Sequence, residues 1–102
     1  MITLCIRYEL NQNKLRDFEA YARSIAEPIR SCGGDLIGYF LPTKFAGRTD
    51  QALALISFSD LVGYQKYREA LQKDAKFVAS VKCMEDSGCV LCEDRSFLQK
   101  VS

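Results

Sequence analysis

Cys32-Gly33-Gly34-Asp35-Leu36-Ile37-Gly38-Tyr39-Phe40-Leu41-Pro42 is the stretch on which the fold turns. Paired glycines readily take the positive-φ backbone that ends a helix. Leu36 to Leu41 has no polar side, so this strand is expected to be covered by protein on both faces. Pro42 has no N–H to give a continuing ladder and should stop the strand.

Upstream of the glycines the apolar residues Leu15, Phe18, Ala22, Ile25 and Ile29 step by three and four, flanked by Tyr21. That spacing predicts a helix from Lys14 with one stripe for a sheet. Pro28 falls late in it, where it removes one backbone hydrogen bond and bends the last turn. Earlier still, Ile2 to Leu10 alternates: Ile2, Leu4, Ile6, Tyr8 and Leu10 face one way, and Thr3, Cys5, Arg7 and Glu9 the other. Asn11-Gln12-Asn13 is a turn with asparagines suited to capping.

Downstream, Thr43 to Gln51 reads as an exposed hairpin connection. Ala52 to Phe58 is a third strand, with Ala52, Ala54, Ile56 and Phe58 on one face and Leu53, Leu55 and Ser57 on the other. Ser59-Asp60 offers an N-cap for a second helix whose stripe is Tyr64, Tyr67 and Leu71. Asp74 is placed to cap a further short helix carrying Phe77, Val78 and Val81. After a break at Glu85-Asp86-Ser87-Gly88, a fourth strand runs from Cys89 to about Gln99. Its Glu93-Asp94-Arg95 interruption suits an edge strand, where charge discourages unwanted pairing. The order βαββαβ predicts an α+β, ferredoxin-like fold: one domain over residues 1–102, a four-stranded antiparallel sheet with its helices on one face.

Two helices cover one sheet face only, yet strands two and three are apolar on both. A lone chain would expose a patch of roughly several hundred Å², more than monomers usually tolerate. The simplest cover is a second copy of the same sheet about a two-fold axis, so a homodimer is expected.

The chain has 102 residues, small for burying a full core alone, and a formal net charge of +1 with acids and bases interspersed. That balance leaves no electrostatic footprint for nucleic acid or an anionic membrane. No apolar run suffices to span a bilayer, and the amphipathic pattern starts at Ile2 with no basic leader ahead of it. A cytoplasmic location is expected, with five reduced cysteines. Histidine is absent altogether, which removes the commonest general acid/base, metal ligand and proximal haem ligand.

Several segments recur in a shared order along nearly the whole chain. They are Ile6-Arg7-Tyr8-Glu9-Leu10, the Phe18…Tyr21-Ala22 spacing, the Gly33-Gly34…Gly38-Tyr39-Phe40 core, Tyr64…Tyr67-Arg68, and Glu93-Asp94-Arg95-Ser96-Phe97-Leu98. Together they resemble the NIPSNAP family. The resemblance implies the dimeric α+β barrel fold and names no reaction. Similar sequences often place a histidine directly after the proline. Thr43 stands there in this chain, which removes that acid/base group.

Cys83, Cys89 and Cys92 suggest a metal or redox site, since the last pair is a C-x-x-C. A zinc site would need a fourth ligand, and on a strand Cys89 and Cys92 face opposite ways. All three are read as small buried hydrophobes, with no metal and no cofactor, haem included. The tyrosines carry more. Tyr8, Tyr39, Tyr64 and Tyr67 lie on elements that should converge. The ligand-binding set expected is Tyr8, Tyr21, Tyr64, Tyr67 and Arg68, around a cleft between helices and sheet. The alternative is that the rings are plain core and the arginines solvated. Parity places Arg7 opposite Tyr8 and out of that cleft. No catalytic residue is assigned. The function expected is a homodimer holding a small aromatic or carboxylate-bearing ligand. The alternatives are a cofactor-independent monooxygenase-like enzyme, by fold analogy, or a protein–protein interaction module using the Thr43–Gln51 loop.

Overall fold

The structure is a computed structural model, and it describes residues 1–102. The alternating segment forms β1 (Ile2–Leu10), which pairs antiparallel with β3 (Gln51–Phe58), Ile2 opposite Phe58 and Glu9 opposite Gln51. β2 (Asp35–Phe40) takes the far side of β3, and β4 (Val90–Leu98) takes the free side of β1. The sheet order is β2-β3-β1-β4, so β4 is an edge as its charges suggest. With α1 (Leu15–Ser31), α2 (Leu61–Gln72) and α3 (Ala75–Ser87), this is a ferredoxin-like α+β fold with four antiparallel strands.

The two glycines after α1 do different work. Gly33 has φ 108°, and the amides of Gly33 and Gly34 close the helix by donating to the carbonyls of Arg30 and Ile29. Gly34 is needed for closeness instead. A Cβ there would stand 3.0 Å from Ile29, Ile56 and Tyr67 side chains alike. The strand can therefore enter directly beneath α1 and α2. Caps fix the other helices: the Asp60 carboxylate accepts from the Gly63 amide at 2.8 Å, and Asp74 from the Phe77 amide at 2.9 Å. Gly88, at φ 69°, ends α3, and Lys14 donates to the Ser87 carbonyl there.

The core lies between the helices and the inner sheet face. Leu4, Ile6, Tyr8 and Leu10 of β1 and Ala52, Ala54, Ile56 and Phe58 of β3 meet Phe18, Ile25 and Ile29 of α1 and Tyr67 and Leu71 of α2. The third helix departs from expectation. Asp74 caps it as expected, but the helix is thirteen residues long and runs on through Glu85, Asp86 and Ser87, where the sequence predicts a break. It packs chiefly on α1, where Lys76 donates to Glu27 at 3.3 Å, rather than on the sheet. Its Phe77, Val81 and Met84 reach only the margin of the core.

The outer sheet face carries Cys5, Leu53, Leu55 and Phe40 at its centre, with Thr3 and Ser57 joined by a 2.9 Å hydroxyl hydrogen bond. A bulge between Leu36 and Gly38 interrupts the β2 register, and the Phe40 ring folds back over Gly38. In the single chain Ile37 is 54% exposed and Phe40 48%. Arg7, on this face, donates to Ser96 at 3.4 Å. The cysteine expectation needs correction. Cys89 is buried, but Cys83 and Cys92 are exposed, because α3 turns Cys83 outward and β4 places Cys92 on the outer face beside Glu9.

Candidate functional site

Because α3 stands on α1 and not on the sheet, a gap remains over the middle of the inner face. It is a cavity of about 280 Å³. Its floor is Leu4, Ile6, Tyr8, Tyr39 and Ile56, its walls come from α1 and α2, and α3 forms its roof with Phe77, Val81, Met84 and Glu85. Single-ring ligands suit it, since drug-sized compounds occupy pockets of about 300–1,000 Å³.

Four of the five residues expected from sequence line this space: Tyr8, Tyr21, Tyr67 and Arg68. Tyr64 does not. Its ring packs against Phe58 (centroids 5.2 Å apart) and edge-on to Phe97 (4.9 Å), closing the sheet beyond the cavity. Tyr67, one helical turn on, sits over Gly34 and reaches the cavity from α2. Tyr8 packs on Phe18 at 4.8 Å, and its hydroxyl lies 3.3 Å from that of Tyr39. Tyr39 thus joins the lining, as its place among the converging tyrosines suggests.

Glu93 and Arg95 were not singled out from sequence, where they read as edge-strand charges. The register sets Tyr8 opposite Glu93, Ile6 opposite Arg95 and Leu4 opposite Phe97, so all three point to the helix side. A signal was present: Glu93 and Arg95 share parity with Phe97, an aromatic with reason to face the helices. The two form an ion pair, Arg95 Nε donating to Glu93 at 2.6 Å. Burial works to lower the Arg95 pKa, and the Glu93 charge and hydrogen bond outweigh it, so the guanidinium is held above its ordinary range.

Burial pushes the hydroxyls of Tyr8, Tyr21, Tyr39 and Tyr67 above the ordinary tyrosine range. Repulsion from neighbouring tyrosines adds to this at Tyr8, Tyr21 and Tyr39. All four stay protonated near neutral pH and act as hydrogen-bond partners, not as bases. The arrangement is suited to holding and orienting a ring with a polar or anionic substituent. Nowhere in the chain do three Cys, Asp or Glu side chains converge into a group able to hold a metal ion, and no helix is long and apolar enough to cross a membrane.

These features define a ferredoxin-like α+β protein with an aromatic cavity between helices and sheet. The NIPSNAP family profile matches residues 3–102, and the chain belongs to the NIPSNAP family. Solved structures agree on the fold. A NIPSNAP family protein with unknown function from Agrobacterium tumefaciens superposes with a TM-score of 0.83 at 18% identity, covering 98% of this chain and 87% of that one. A NIPSNAP domain protein from Burkholderia xenovorans gives 0.81 at 16% identity, over 100% and 96% of the two chains. A putative antibiotic biosynthesis monooxygenase from Nitrosomonas europaea gives 0.74 at 12% identity, over the full length of both. No match was found among curated proteins.

Proposed function

We propose that the chain is a single NIPSNAP domain that works as a homodimer, each subunit holding a small aromatic or carboxylate-bearing ligand between its helices and its sheet. The observation that carries this reading is the cavity itself, about 280 Å³, with Tyr8, Tyr21, Tyr39 and Tyr67 around it and charged groups at its edge. A packed core leaves few voids larger than a water molecule, so a space this size lined by hydroxyl-bearing rings is suited to a guest. The dimer accounts for the apolar outer face, where Ile37 and Phe40 are exposed and Leu53 and Leu55 only half-buried within the chain. Likeness to the Nitrosomonas protein concerns the fold, and no residue in the cavity adds a reason for monooxygenase chemistry. A second reading has one observation behind it: Phe45 is 94% exposed in the loop after β2, as a contact for a protein partner would be.

The minimal test uses phenol as probe. Calorimetry on the wild-type protein should show saturable binding near one equivalent per chain. Val81→Trp, which fills the space from the α3 roof, should abolish it while thermal unfolding stays cooperative. Absence of phenol binding to the wild type, or equal binding to Val81→Trp, would contradict the ligand reading and leave the Phe45 loop as the better candidate.

A further inference from the structure

The Glu93–Arg95 pair sits at the open edge of the cavity, where the Arg95 side chain keeps 43% of its surface exposed. The pairing engages one side of the guanidinium only. Arg95 uses Nε for Glu93, and its terminal nitrogens Nη1 and Nη2 have no protein acceptor. Those two N–H-bearing atoms are the fork that grips a carboxylate bidentately. Both residues line the tyrosine cavity. We infer that Arg95 is the specificity-determining residue of the cavity, its free Nη1–Nη2 fork seating the carboxylate of a single-ring aromatic acid whose ring lies among Tyr8, Tyr21, Tyr39 and Tyr67.

Two arginines line the space, and the structure separates their parts. The charge of Arg95 is felt at all four buried tyrosine hydroxyls, that of Arg68 at Tyr67. Arg95 is also held by Glu93, whereas Arg68 makes no hydrogen bond within the protein and sits on the last turns of α2. A fixed guanidinium loses less freedom on binding than a loose one. Arg68 therefore adds charge at the mouth, and Arg95 fixes the position of the anion. Size sets the rest: about 280 Å³ accepts one ring and a short substituent, not a fused or multi-ring acid.

The inference rests on the cavity being a ligand site, and its test is built to fail separately. The probes are 4-hydroxybenzoate and its uncharged counterpart 4-hydroxybenzamide, titrated by calorimetry into the wild type, Arg95→Gln, Arg95→Lys and Arg68→Gln. Hydrogen bonds to a charged group predict a preference of about tenfold or more for the acid in the wild type. Arg95→Gln should erase that preference while the amide binds as before. Arg95→Lys should keep part of it, since the charge remains and the fork is lost. Arg68→Gln should leave most of it. The acid-to-amide ratio is taken within each variant, so partial unfolding of one variant cannot imitate the result. Equal binding of acid and amide, or a preference surviving in Arg95→Gln, would overturn the role of Arg95 while leaving the cavity reading standing. If neither compound binds the wild type, both fall.

Discussion

Tyr8, Tyr21, Tyr39 and Tyr67 make the protein sensitive to alkali in a definite direction. Each has its folded-state pKa raised, by burial above all. Above the ordinary tyrosine value the folded state therefore holds more protons than the unfolded one. Their stabilisation is complete below pH about 10 and falls as the pH rises beyond it, by at most about 1.4 kcal/mol per pH unit for each tyrosine. In an alkaline titration, the tyrosinate absorbance of these four should appear together with loss of the circular dichroism signal. Smooth ionisation near pH 10 with the helical signal intact would contradict their burial. Tyr8, Tyr21 and Tyr67 were legible in the sequence as cavity residues, because i, i+3 spacing and strand alternation place them on inward faces, and Tyr39 was legible as one of the converging tyrosines though not assigned to the ligand set. Arg95 was not, because a charged run looks the same on an exposed edge and over a cavity until pairing with β1 fixes which parity faces inward.

At the level of elements, β3 is the test piece, because its two faces have different covers. Ala52, Ala54, Ile56 and Phe58 are buried by the helices, while Leu53 and Leu55 are half-buried and await a cover. Leu55→Lys should cost on the order of 3 kcal/mol or more of dimer stability, by placing an unpaired charge in the interface. The same change should leave the helical content of the chain in place. Sedimentation of the variant at micromolar concentration should give the mass of one chain, and an intact dimer would contradict the assignment of this face. The strands and the first two helices were readable from periodicity and capping residues. The length and seat of α3 were not. Its apolar residues are spread around the helix rather than gathered in one stripe, Val78 pointing to solvent while Phe77 and Val81 meet the core, so nothing local says that it leans on α1. That misreading matters, since the tilt of α3 away from the sheet is what opens the cavity.

For the whole molecule, the proposed function gives the two sheet faces two tasks: the inner one would enclose a guest, and the outer one would meet a second copy. Chain length and patterning carry the dimer expectation, since three helices on one face leave the other apolar and bare. The fold follows from patterns that repeat over many residues, whereas the cavity depends on how three helices settle against one another, which no single segment encodes. The central claim is that both faces are occupied at once, and native mass spectrometry of the wild-type protein with 4-hydroxybenzoate tests it most directly. The account predicts a species of about twice the 11.5 kDa chain mass carrying two molecules of the acid. A one-chain mass, or a dimer that carries none, would contradict it.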